Sequence, residues 1–155
     1  MGTVPAHNTG NSRVESTRER MEHMAEKTPR KRGRRSARQA GSRFERQIAD
    51  YLRDHIDDRI DRRVTNGNKD RGDIGGLRLS PALGGGRIAA ECKNLSRLSL
   101  AACHAEAETA RGNDDAVAAL LVHKRHGVGD PGMQWVTCTV NDLVALLTGH
   151  RPPEK

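Results

Sequence analysis

The sequence predicts an α/β fold, a central mixed β-sheet flanked by helices, and three stretches carry that prediction. Phe44, Ile48, Tyr51, Leu52 and Ile56 recur at helical spacing and form one apolar stripe. Residues 71–93, RGDIGGLRLSPALGGGRIAAECK, read as two short strands around a Gly-rich turn, an antiparallel hairpin. An Ala-rich helical segment then leads into the continuous apolar run 116–122, and a strand–helix–strand crossover makes its two strands parallel. A hairpin and a crossover in one sheet make that sheet mixed.

Taken in order, the chain opens with a tail. Residues 1–40 hold 10 Lys/Arg against 4 Asp/Glu, whereas residues 41–155 hold 17 against 16, so most of the formal charge of +7 lies in this segment. It has few large apolar residues and includes the basic run Arg30, Lys31, Arg32, Arg34 and Arg35, which predicts a disordered basic arm that holds phosphates without sequence preference. The folded domain is expected over residues 41–150, with 151–155 as a short tail. A helix opens at Ser42, where Ser42-x-x-Glu45 has the spacing of a capping box. Residues 59–65 follow as a strand with Ile60 and Val64 on one face, and residues 66–70 as a turn in which Asp70 is a turn carboxylate.

After the hairpin, Ser99 is the expected N-cap of a helix that runs to Arg111 and stops at Gly112-Asn113. The buried strand 116–122 delivers Lys124 at its end. Residues 127–132 form a loop and residues 134–140 a strand. Asn141 caps a last helix, Leu143 to Leu147, which Gly149 ends.

The chemistry concentrates in the hairpin. Side chains at i and i+2 of a strand share a face, so Glu91 and Lys93 point the same way and Cys92 the other. Antiparallel pairing carries Asp73, at the start of the first strand, towards the end of the second. Two carboxylates and an amine converging on one spot suit a hard divalent cation such as Mg²⁺ or Mn²⁺, with Asp73 and Glu91 as ligands. Lys93 would then orient a water or steady a phosphate. A carboxylate two residues before a lysine occurs by chance about once in a chain of this size, so the weight lies in its setting. Lys69, Arg71 and Lys124 are the expected phosphate contacts of the folded part.

With Gly72-Asp73-Ile74 before the turn and Ile88-Ala-Ala-Glu91-Cys92-Lys93 after it, the chain resembles the D…(D/E)-x-K motif of the restriction-endonuclease-like nucleases. Gly41-Ser42-Arg43-Phe44-Glu45, opening a helix, is similar to the start of the archaeal and phage Holliday-junction resolvases. The resemblance covers roughly residues 41–149. It implies a restriction-endonuclease-like fold, a metal-dependent DNA endonuclease leaving a 5′-phosphate, a homodimer with two sites, and Glu45 as a third carboxylate of the metal site. The residue before Asp73 is Gly72 rather than the proline common at that position.

The residues leave the substrate open between branched and continuous duplex DNA, and they leave room for a basic DNA-binding protein that does not cut. His123-x-x-His126 lacks a third partner for a soft metal. Phe44, Tyr51 and Trp135 are the only aromatics, the first two on a core-facing stripe, too few for a single-strand stacking module. No apolar run is long enough to span a membrane. The three cysteines form no C-x-x-C pair, which fits a reducing cytoplasm.

Overall fold

Residues with helix-forming stripes and strand-forming runs alternate along the chain in the order α1 (Arg34–His55), β1 (Asp61–Arg62), β2 (Ile74–Gly75), β3 (Ile88–Lys93), α2 (Leu100–Asp114), β4 (Ala118–His123), β5 (Trp135–Thr137) and α3 (Val140–Thr148). The structure is a computed structural model of the chain and describes residue 2 and residues 33–64 and 69–153. Arg30, Lys31 and Arg32, and the turn residues 66–68, lie outside the described residues. The strands form one five-stranded sheet in the order β1-β2-β3-β4-β5. β3 and β4 are parallel and the other three pairings antiparallel, giving the expected mixed sheet.

The period-2 rule sorts β3 between two layers. Ile88, Ala90 and Cys92 enter the main core with Phe44, Ile48 and Ala49 of α1, Ile74 of β2 and Val122 of β4. Ala89 meets Ala110 and Ala116 on the opposite face, where the alanines of α2 allow close approach. Helix α3 closes the edge of β4 where the short β5 runs out: the Ala119 N–H, left without a strand partner, donates to Asp142 Oδ1 at 2.9 Å.

Several boundaries differ from the sequence expectation. Helix α1 begins at Arg34, so residues 34–40, assigned to the tail, are helical, and Arg34 and Arg35 lie exposed in its first turn. Asn94 Nδ2 donates to the Ala40 carbonyl at 3.2 Å, tying that part of the helix to the end of β3. Ser42 and Glu45 are thereby in mid-helix, where the N–H groups are already bonded, and the capping box does not exist. Ile56 falls beyond the helix end and is 59% exposed. Among the described residues of the expected strand 59–65, Asp61–Arg62 form the strand and the Arg63 N–H adds a bond to the Asp73 carbonyl at 2.7 Å, with Ile60 buried and Val64 73% exposed, so the two do not share a buried face.

Helix α2 runs through Gly112 to Asp114 and ends on Asp115 in the left-handed region. The cap of α3 is Thr139, in a reciprocal capping box with Asp142, rather than Asn141. Arg151, assigned to a short tail, is half-buried and bonded to Asp142 and Glu108.

Candidate active site

β3 positions the site. Glu91 projects from its α2 face and is 3% exposed, and Lys93 follows on the same side. Immediately before the neighbouring β2, the Asp73 N–H donates to the Ala90 carbonyl at 2.8 Å, and the Cys92 N–H donates to Asp73 Oδ2 at 2.8 Å. A side-chain carboxylate thus takes the place of a further β2 residue in the ladder. In a strand the N–H and C=O of one residue leave on the same side, so the Cys92 carbonyl also faces the Asp73 edge.

The turn into Asp73 explains the glycine before it. Gly72 has φ +86°, and a Cβ there would stand 2.8 Å from the Ala90 carbonyl oxygen. Proline, fixed near φ −65°, cannot adopt that conformation. Asp70 Oδ1 accepts from the Gly72 N–H at 3.0 Å, an Asx turn that helps set the bend.

Burial and mutual repulsion govern the electrostatics. Burial raises the Glu91 carboxyl to about 7 from its ordinary 4.5, the Asp73 charge adds to the rise, and Lys93 opposes it. Asp73 is also raised, first by burial and then by Glu45 and Asp70, against the Cys92 N–H and Lys93, which hold it down. Burial works against the Lys93 ammonium, but its hydrogen bond to Glu106 and the charges of Glu91 and Glu106 outweigh this and hold its pKa above the usual lysine value. Lys93 Nζ lies 2.6 Å from Glu106 Oε2 and 3.3 Å from Glu91 Oε2. Lys93 thus stands closer to Glu106 than to Glu91, and its pull on Glu91 does not cancel the rise that burial and the Asp73 charge produce.

Glu45 approaches from the α1 side. Arg62 pairs across the ladder with Ile74, a core residue on the α1 face, and its Nε donates to Glu45 Oε2 at 2.6 Å. Glu45 is thus close enough to raise Asp73 but is held by a guanidinium rather than gathered with Asp73 and Glu91. Among the described residues, the trio of ligand-type side chains whose atoms all lie within 4.8 Å of one another is a different one, His104, Glu108 and Asp142. Those atoms are close enough to hold a metal ion, yet Arg151 already bonds both Asp142 and Glu108, and Asp142 also takes the Ala119 and Thr139 N–H groups.

Lys124 reaches the same sheet edge as Lys93 but on the other face. Its ammonium donates to the Val128 carbonyl at 2.6 Å and lies 5.7 Å over the Phe44 ring. Lys69 and Arg71 are exposed on the segment leading into Asp73. Sequence reading missed Arg62 as the partner of Glu45, and no local signal marks it. Thr139-x-x-Asp142, in contrast, is a legible capping pattern that Asn141 obscured.

No family model, curated protein or solved structure matches the chain.

Proposed function

We propose that the protein is a metal-dependent endonuclease that hydrolyses DNA phosphodiester bonds, with four-way junctions of recombination, repair or phage DNA processing as the expected substrate. The observation that carries the reading is the Asp73–Glu91 pair, two largely buried carboxylates raised above their ordinary values while the nearest ammonium is shared with Glu106. Buried charges left uncompensated are costly, and a cation between them removes that cost. The donors are all oxygens, two carboxylates with the Cys92 carbonyl beside them, which fits Mg²⁺ or Mn²⁺ better than a soft metal.

A divalent ion held by Asp73 and Glu91 would stabilise the charge of the attacked phosphodiester and supply an acidified water. Lys93, whose raised pKa keeps it charged at neutral pH, donates to a phosphate oxygen or orients the attacking water. Glu45 repels the Asp73 carboxylate from the α1 side, which adds to the pull on a cation there, and is itself held in place by Arg62. Lys69 and Arg71 line the approach, and Arg34 and Arg35, with the basic run before them, add sequence-independent affinity. A homodimer, working in the cytoplasm, would set two such sites on opposing strands.

The test is cleavage of a labelled four-way junction and a linear duplex with the same arms, in Mg²⁺ and in EDTA, by wild type and Asp73→Ala. Paired cuts on the junction that vanish with EDTA or the substitution are the expected result. Equal cutting of both substrates would move the assignment to a repair or restriction-type nuclease, and binding with no metal-dependent cut would leave a DNA-binding protein.

A further inference from the structure

Trp135 is the only tryptophan of the chain, and its side chain is spent on no core. It opens β5, the outer strand of the sheet, and is 52% exposed. The Arg125 guanidinium lies over its ring, 4.9 Å from the centroid. Gln134 holds the two together: its Oε1 accepts the Arg125 N–H at 2.9 Å, and its Nε2 donates to the Val128 and Asp130 carbonyls at 3.2 and 2.6 Å. An indole and a guanidinium held against each other on an edge strand form a preorganised surface.

The register ties that surface to the site. Lys93 is the parallel partner of His123, and His123 is the antiparallel partner of Trp135. Directly paired residues point to the same face, so Lys93, His123 and Trp135 form one row across three strands, on the face that carries Glu91. With strands about 4.8 Å apart, the row is roughly 10 Å long. A stacked DNA strand advances about 3.4 Å per nucleotide, so Trp135 stands roughly three nucleotides from a phosphate at Lys93. Bases inside a duplex are paired and stacked on each other, whereas an unpaired base in a tail, or at a branch point that the protein opens, has its faces free for an aromatic side chain.

We propose that the Trp135–Arg125 pair is a stacking platform for an unpaired base of the DNA substrate, and that it is the element by which the protein distinguishes branched or tailed DNA from continuous duplex. One platform residue does not make a single-strand-binding module, in keeping with the scarcity of aromatics. It does make a specificity contact beside the site. The inference rests on the endonuclease reading for its position relative to the cut, but not for the stacking itself.

Because Trp135 is the sole indole, its emission reports stacking directly. The full-length protein is titrated in EDTA with a four-way junction, a duplex carrying a thymidine tail, and a blunt duplex with the same arms. Binding is followed in parallel by anisotropy of labelled DNA. Quenching by the junction and the tailed duplex but not the blunt one is expected. Trp135→Ala should weaken binding of tailed DNA by between about five-fold and about 150-fold and that of blunt duplex by less than about two-fold, with Trp135→Phe largely restoring it. Unchanged emission at saturating tailed DNA would overturn the proposal. So would an equal loss on all three DNAs, an emission change that follows protein concentration instead of DNA, or no DNA binding at all. Quenching without any Mg²⁺-dependent cut would sink the endonuclease reading and leave the platform standing; cutting without quenching would do the reverse.

Discussion

Replacing Glu91 by Gln should make the metal-free protein more stable at pH 8 and leave its stability near pH 4 unchanged. Burial, with the Asp73 charge, holds the Glu91 carboxyl at about 7 against an ordinary 4.5, so the folded state binds this proton more tightly than the unfolded chain does. Stability is then whole below about pH 4.5 and falls as pH rises through the window up to about 7, beyond which the deficit is constant. At about 1.4 kcal/mol per pH unit, that window corresponds to about 3 kcal/mol. The Glu91 side chain is 4% exposed, so solvent relieves little of it. The pull of Lys93 on Glu91 is already contained in that window, since it holds the carboxyl below where burial and Asp73 alone would put it. The net expectation at pH 8 is about 3 kcal/mol in favour of Glu91→Gln, an increase of about 1.5 M in the urea midpoint. The assay is urea unfolding in EDTA at pH 4 and pH 8, repeated at pH 8 with millimolar Mg²⁺. The cation should raise the wild-type midpoint and leave that of Glu91→Gln in place. A Glu91→Gln midpoint at or below wild type at pH 8 would refute the claim that this carboxylate is held against its own stability.

Arg151→Ala removes the partner of the fully buried Asp142 and of Glu108, and should cost about 3 kcal/mol, seen as a fall in Tm of about 10 °C; an unchanged Tm would show that Thr139 and the Ala119 N–H suffice. Gly72→Ala forces a side chain into φ +86° against the Ala90 carbonyl, and should cost about 2 kcal/mol or more in chemical unfolding. Glu106→Gln takes the 2.6 Å partner from Lys93. The lysine pKa then falls, the alkaline limb of the cleavage pH profile moves to lower pH, and kcat drops roughly 10-fold with KM unchanged. A profile that does not move would make Glu106 a surface carboxylate only.

The order of all eight elements was legible because each signal is local. A 3.6-residue stripe, a Gly-rich turn between strands and a seven-residue apolar run need no partner to be recognised. Boundaries failed where local and tertiary preferences compete. Gly41-Ser42 looks like the start of a helix, but residues 34–40 offer good helix formers, and Asn94 fixes the Ala40 carbonyl from across the fold, so the helix runs on through the break. The convergence of Asp73 on Glu91 and Lys93 was legible from hairpin pairing alone. The committed state of Lys93 was not, since it depends on where α2 docks.

Glu45 shows how the site holds together. It lies on the α1 side of the sheet, Glu91 on the α2 side, and Asp73 in the ladder between them. Each outer carboxylate has its own cation nearby, Arg62 for Glu45 at 2.6 Å and Lys93 for Glu91 at 3.3 Å, but Glu106 draws Lys93 closer still, at 2.6 Å. With Arg62 held by Glu45 and Lys93 drawn to Glu106, the charge of the Asp73–Glu91 pair, −2 when both are ionised, is poorly compensated, Asp70 adds to the repulsion, and these are the two groups whose pKa values are raised. A monovalent ion would leave half of it. A divalent ion matches it, so Glu91→Gln, which removes one unit of that charge, should weaken Mg²⁺ binding far more than Glu45→Gln, which removes a carboxylate already held by Arg62. Equal losses of Mg²⁺ affinity by calorimetry in the two variants would mean that Glu45 leaves Arg62 and binds the ion directly.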